Sequence, residues 1–212
     1  MIKAVLFDLD GTLTNTLGDI AASMNRALRL NGLPEHEEKD YCRMIGNGVQ
    51  KLVERATGGC TEKHEAVYQT YQQYYSLHAM DTTRPYDSVP EMLAALTARG
   101  VKLCVLSNKP HPDAVSVVAR FFPDVPFNDV RGAMPGVPVK PDAAGALAAA
   151  EKLGCAPDEF LYLGDMAVDI NCARNAGMHS VGVTWGFGTA DSLREANAEH
   201  LIDHPMDVIN LL

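Results

Sequence analysis

Apolar residues fall in short unbroken runs along this chain, and each run stops abruptly at polar residues. Ala4-Val5-Leu6-Phe7 is followed by Asp8-Leu9-Asp10-Gly11-Thr12-Leu13. Val101-Lys102-Leu103-Cys104-Val105-Leu106 runs into Ser107-Asn108-Lys109-Pro110, and Phe160-Leu161-Tyr162-Leu163 into Gly164-Asp165, with Asp169 shortly after. Such runs are expected of parallel strands buried on both faces. Helical spacing separates them. Ser88-Val89-Pro90-Glu91 predicts a helix with Ser88 as N-cap that runs to Arg99-Gly100. Val139-Lys140-Pro141-Asp142 opens an alanine-rich helix ending at Lys152-Leu153-Gly154, and Asp169 to Gly177 forms another with a glycine stop. The last strands are expected at Ser180 to Thr184 and His200 to Asp203. Strands alternating with helices predict an α/β fold, a doubly wound, Rossmann-like parallel sheet covered on both faces.

The alternation is interrupted after the first strand. From about Leu17 to about Ala79 the spacing is helical throughout. A first helix carries Ile20, Ala21, Met24, Ala27, Leu28 and Leu30 on its apolar side and stops near Asn31-Gly32. A second is expected roughly from Asp40 to Ala56 and a third roughly from Glu62 to Leu77. Tyr68, Tyr71, Tyr74 and Tyr75 recur at helical spacing on the third and read as packing residues. The expected organisation is an α/β core from residues 1–14 and 82–212, with a small helical segment, 15–81, inserted after the first strand. The polar joins near Asn15-Thr16 and Asp81 to Pro85 would serve as hinges.

The strand ends concentrate the chemistry. Asp8 and Asp10 would share one face until Gly11 breaks the pattern, and their mutual repulsion invites a cation. In an open α/β sheet, ligands collect outside the carboxyl ends of the strands, along one edge of the sheet. That rule gathers Asp8, Asp10, Ser107, Lys140, Asp165 and Asp169. Carboxylates around a hard divalent cation, with a hydroxyl and an ammonium opposite, suit a phosphoryl group, and Asp8 is the expected nucleophile.

Composition narrows the partners. The 212 residues carry 18 Lys plus Arg against 27 Asp plus Glu, a net charge of −9, which disfavours a nucleic-acid backbone or an anionic membrane surface. A small phosphorylated metabolite would instead be held by local charge such as Lys140. The five cysteines have no paired metal-ligand spacing, and their odd number without a signal peptide points to reduced thiols and a cytoplasmic protein. Cys104 is expected in the core. The seven histidines likewise share no ligand spacing. No apolar run approaches the ~20 residues of a membrane span.

Taken in order, Asp8-Leu9-Asp10-Gly11-Thr12-Leu13, Ser107-Asn108, Lys140 in Val-Lys-Pro-Asp, and Gly164-Asp165 with Asp169 resemble the four motifs of the haloacid dehalogenase-like superfamily, in its phosphatase branch. The resemblance spans essentially the whole chain. It implies an aspartyl-phosphate on Asp8 and proton transfer by Asp10. It implies Mg²⁺ held by the Asp8 carboxylate, the backbone carbonyl at Asp10 and the Asp165 carboxylate. Asp169 would be a further metal ligand or a partner behind the ligands. Ser107 and the following amide would bind a phosphoryl oxygen, and Lys140 would neutralise developing charge. The insert takes the place of a cap that closes over the site. Within the superfamily the chain is most similar to bacterial phosphoglycolate phosphatases, through Ile45-Gly46-Asn47-Gly48-Val49, Ser107-Asn108-Lys109-Pro110 and Val181-Gly182-Val183-Thr184-Trp185-Gly186. Pyrophosphatase, another small-metabolite phosphatase and a sugar phosphomutase are the alternatives.

Arg43, Gly46 and Asn47 are candidates for holding the substrate's non-phosphate end, because glycines expose backbone donors; a plain turn within the insert is the competing reading. Asn108 is a candidate beside Ser107, and Lys109 reads as a surface residue next to the site. Two departures from the family pattern stand out: Met166 where Ser is usual and Asn15 where Asp is common. A monomer and a homodimer are both compatible with the sequence.

Overall fold

The apolar runs assemble into one parallel sheet. The computed structural model describes residues 1–212. Six strands, β1 (Ala4–Phe7), β4 (Lys102–Pro110), β5 (Phe127–Ala133), β6 (Phe160–Gly164), β7 (His179–Val183) and β8 (His200–Ile202), lie in the order β5-β4-β1-β6-β7-β8. In β1, Ala4 stands opposite Lys102 on one side and Phe160 on the other, and all four residues are buried.

Successive side chains point to opposite faces, so the runs feed two apolar layers. Val5, Phe7, Leu103, Val105, Leu161 and Leu163 pack with α4 (Val89–Ala98) and α5 (His111–Phe121). Ala4, Leu6, Cys104, Leu106, Phe160 and Tyr162 pack with α6 (Ala144–Leu153) and α7 (Ala167–Ala176). This is the doubly wound α/β arrangement. A short α8 (Ala190–Glu195) packs beside α7 through Leu193 and Ile170. The chain steps from β1 to β4 and β5 on one side, then to β6, β7 and β8 on the other. The reversal falls at β1, where such sheets open a crevice.

The helical segment forms a separate apolar cluster. Its elements are α1 (Leu17–Leu30), a 3₁₀ turn at Glu38–Arg43, α2 (Val49–Ala56) and α3 (His64–His78). Ile20, Met24 and Leu28 pack with Tyr41, Leu52, Val53, Val67, Tyr71 and Tyr75, and Phe187 reaches in from the loop after β7. Each fully buried side chain of this size stabilises the cluster by about 1.5–3 kcal/mol. At the neck, β2 (Thr14–Asn15) pairs antiparallel with β3 (Arg84–Pro85). Buried Asp19 ties the returning chain there, accepting the backbone N–H groups of Thr82 and Thr83 at 2.9 Å and both their hydroxyls. Those four donors hold its carboxyl below the usual range.

Several local expectations are corrected. The second insert helix is broken: the chain passes from the 3₁₀ turn through Met44–Gly48 before α2, because Gly46 (φ 104°) and Gly48 (φ 84°) take backbone conformations a helix excludes. Leu30 leaves the apolar face and is 58% exposed. Ser88 caps nothing with its side chain and sits in the left-handed region at φ 64°. Residues 139–142 form a turn with a cis Lys140–Pro141 peptide, and α6 begins only at Ala144, whose N–H is accepted by Asp142 Oδ1 at 2.8 Å. Strand β4 does not stop at Leu106 but continues to Pro110. Edge strand β5 carries no strand signal in the sequence, since Asn128, Asp129 and Arg131 break up its apolar pattern. No helix is long and apolar enough to cross a membrane.

Candidate active site

The turn leaving β1 builds the floor of the site. The Asp8 N–H still donates to Leu163 O at 2.9 Å, which holds Asp8 in line with the sheet. The chain then folds back, with Leu13 and Thr14 N–H both on Leu9 O at 3.0 Å and Gly11 N–H on Thr14 O at 2.8 Å. Gly11 has φ 90°, and a Cβ there would collide with the Asp165 carboxylate. Glycine is therefore required twice over, by backbone conformation and by the close approach of β6.

Asp8, Asp165 and Asp169 converge from β1, the end of β6 and the first turn of α7. One carboxylate oxygen from each lies within 4.8 Å of the others. Lys140 arrives from the cis-proline turn, with Nζ 2.7 Å from Asp8 Oδ1 and 2.7 Å from Asp169 Oδ1. Asp8 Oδ1 also accepts the Leu9 N–H at 2.7 Å. Asp165 Oδ1 accepts the Thr12 hydroxyl at 3.0 Å, and Oδ2 accepts the Phe187 N–H at 2.8 Å. Helix α7 starts at Ala167, two residues before the expected Asp169, and Asp169 Oδ2 accepts the Met166 N–H at 3.1 Å. With Lys140 on its other oxygen, Asp169 has both oxygens engaged by the protein.

Three buried carboxylates face a single buried ammonium, which leaves two negative charges in excess. Burial, and next the neighbouring Asp169, push the Asp8 carboxyl well above the usual range despite Lys140, and push Asp165 up to about 7. An all-oxygen donor set with a deficit of two charges fits a hard divalent cation such as Mg²⁺. Asp165 is ordinarily near 3.8 and binds a proton more tightly in the folded chain. Without metal its stability contribution is complete at low pH and is lost as pH rises through about 7. Thermal melts in EDTA are therefore expected to fall between about pH 5 and about pH 8, and Mg²⁺ to restore them at the upper pH. Melts in EDTA that ignore both pH and added Mg²⁺ would refute this charge balance.

The remaining sequence candidates divide. Asp10 lines the same cavity as Asp8, but its carboxylate lies outside the three-carboxylate cluster and is held by Lys109, whose Nζ is 3.0 and 3.1 Å from its two oxygens. Lys109 is no surface residue, its side chain being 3% exposed. Ser107 opens onto the cavity, its Oγ accepting the Lys109 N–H at 3.2 Å. The Asn108 side chain is occupied with structure: Nδ2 donates to Lys140 O at 3.1 Å and Gly46 O at 3.0 Å, and Oδ1 accepts the Lys140 N–H at 2.9 Å. It anchors the lysine turn and the glycine loop together. Gly46 lines the cavity; Arg43 is exposed and Asn47 turns aside, and neither lines it. Arg55 instead grips that loop, donating to Met44 O at 2.8 Å and Asn47 Oδ1 at 2.7 Å. Met166 packs against Gly46, where a Cβ would strike its sulfur.

Above this floor is a cavity of about 270 Å³, roofed by the helical segment. Ile20, Leu52, Tyr71, Gln72 and Tyr75 form its upper wall and Asp113 flanks it. Tyr71 and Tyr75 thus pack in the insert's core and also face the cavity, a role beyond the packing expected of them. The signal was present in the spacing, since Tyr71, Gln72, Tyr75 and Ser76 share one face of a helix.

Comparison with known proteins agrees with this geometry. A family model described as haloacid dehalogenase-like hydrolase matches residues 5–183. A phosphoglycolate phosphatase of Haemophilus influenzae is 33% identical over 219 residues, covering 99% of this chain and 98% of that protein. An N-acetylmuramic acid 6-phosphate phosphatase of Pseudomonas aeruginosa is 31% identical, covering 100% of this chain and 95% of the other. A crystal structure from Haemophilus somnus, described as a predicted phosphoglycolate phosphatase, superposes with a TM-score of 0.92 at 30% identity, covering 99% of this chain and 97% of that one. The chain belongs to the haloacid dehalogenase-like hydrolase family, among its phosphatases.

Proposed function

We propose that this chain hydrolyses a small-metabolite phosphomonoester through an aspartyl-phosphate on Asp8, with 2-phosphoglycolate as the preferred substrate. The observation that carries the reading is Asp8 itself. It is a carboxylate at the sheet's reversal point, held by Lys140 on the floor of a cavity that Asp10 also lines. An Asp8 oxygen attacks phosphorus, the bond from phosphorus to the ester oxygen breaks, and Asp10 donates a proton to that oxygen. Water then attacks phosphorus as its proton passes to Asp10, the bond to Asp8 breaks, and inorganic phosphate leaves. Lys140 offsets charge on Asp8 and the phosphoryl group, and the Ser107 hydroxyl donates to a phosphoryl oxygen. Asp8, Asp165 and the backbone at Asp10 would hold Mg²⁺, with Asp169 chiefly orienting Lys140. The bound ion would supply Lewis-acid neutralisation of phosphoryl charge.

In this reading residues 15–81 act as a cap over a core of residues 1–14 and 82–212, and specificity lies in the cap wall. The reading places the enzyme in the cytoplasm, where its five free cysteines remain reduced. The curated relatives' names support 2-phosphoglycolate. A second substrate, a bulkier sugar phosphate, is favoured by the cavity, which is larger than a two-carbon alcohol needs.

The test is phosphate release with Mg²⁺ from 2-phosphoglycolate, N-acetylmuramic acid 6-phosphate, pyrophosphate and common sugar phosphates. The highest kcat/KM is expected on 2-phosphoglycolate, with loss of activity in EDTA. A higher value on the muramic acid ester would keep the mechanism and replace the substrate. No release from any compound, with turnover only when a sugar bisphosphate is added, would establish a mutase instead.

A further inference from the structure

Lys109 is buried beside the proposed acid and is not used by the mechanism so far. Its Nζ lies 3.0 and 3.1 Å from the two oxygens of Asp10 and 2.6 Å from the Tyr75 hydroxyl. An ammonium has three N–H donors, and these three contacts use them all. Lys109 also lines the cavity, with its ammonium already held by these partners. Burying an ion pair costs desolvation, and a buried charge is tolerated only where its partners are well placed. Asp10 is the one carboxylate within hydrogen-bond reach of it, so the pair is specific to that residue. Tyr75 is supplied by α3, and its ring packs against Tyr71 in the insert's own core, with centroids 5.3 Å apart. The contact therefore joins the helical insert to the end of β4 at the acid.

We propose that Lys109 and Tyr75 are positioning residues: together they aim the Asp10 carboxyl at the ester oxygen, and the helical segment supplies the Tyr75 half of the support. The inference rests on the reading of Asp8 as nucleophile and Asp10 as acid. It follows that the Asp10 step matures only when α3 is seated on the core. A carboxylate held through both oxygens by one ammonium keeps one direction, whereas a free aspartate samples several rotamers.

The measurement is single-turnover phosphoryl transfer to Asp8, so that hydrolysis of the intermediate does not enter. It compares an alkyl phosphate, whose leaving oxygen needs a proton, with p-nitrophenyl phosphate, whose leaving group does not. In Lys109→Met, transfer from the alkyl ester is expected to slow about 100-fold, the size of a lost general-acid contribution, with p-nitrophenyl phosphate slowed no more than about threefold. The substrate concentration that gives half-maximal transfer should change little for either ester. Tyr75→Phe, which removes only the hydroxyl, should shift the ratio of the two rates the same way by about tenfold. Equal slowing on both esters, or none, would overturn the positioning role and leave Lys109 a structural ion pair. Absence of any transfer by the wild-type protein would instead remove the Asp8 reading, and this inference with it.

Discussion

Asp8→Asn is expected to abolish turnover, with kcat falling on the order of 10⁵-fold, as when a nucleophile that acts as part of a unit is removed. That loss corresponds to about 7 kcal/mol of barrier. The substitution keeps the shape of the side chain, so the Leu9 N–H and Lys140 still find an oxygen at the same position. Folding should not suffer. Asp8 is raised well above its usual range by burial and by Asp169, so a neutral residue relieves repulsion in the metal-free protein. The expected signature is an inactive enzyme with an unchanged or higher Tm. Mass spectrometry of acid-quenched wild-type protein should find a phosphoryl adduct on the Asp8 peptide, absent from the variant. Retained phosphate release by Asp8→Asn would exclude the covalent route.

Lys140→Met is expected to harm rate and fold together. Lys140 is 3% exposed and is the only cation bonded to Asp8 and Asp169. Removing it leaves three carboxylates in a buried floor with no opposing charge, a loss of about 3–5 kcal/mol. For a chain of this size that corresponds to a Tm lower by about 10 °C in EDTA. The rate on the best substrate should fall by about 10²- to 10³-fold, the usual range for one electrostatic contact to the transition state. Mg²⁺ should recover much of the stability and little of the rate, since it meets the charge deficit without taking the ammonium's place beside Asp8. Melting curves and phosphate release on the same preparation separate the two effects. A variant as stable as wild type in EDTA would show that the lysine's charge does not balance the floor. Read from sequence alone, Lys140 is expected to matter more to rate than to folding. Its position between two buried carboxylates makes it matter to both.

The parallel sheet was legible because its cause is local. Ala4–Phe7 and the run before Gly164 are apolar at every position, and the run before Ser107 at all but Lys102, and only a strand covered on both faces has that need. The carboxylates after them could be gathered because topology brings the ends of β1, β4 and β6 side by side whatever separates them in the chain. The loop at Gly46 and Gly48 was harder, since helix formers on both sides of it mask a break that is decided by two φ angles. Edge strand β5 was lost because one side of it faces solvent and polar residues interrupt its pattern.

Sequence alone determined the doubly wound fold, the helical insertion and the set of Asp8, Asp165, Asp169 and Lys140, because apolar periodicity and strand ends are properties of neighbouring residues. Only the tertiary structure decided which charges touch. It paired Asp10 with Lys109, tied up Asn108 with backbone groups, left Arg43 in solvent and brought Tyr75 from α3 onto the site. The physical reason is that hydrogen-bond and ion-pair partners are chosen by distance and desolvation across the fold. Partners 34 and 99 residues apart in the chain leave no trace in local pattern.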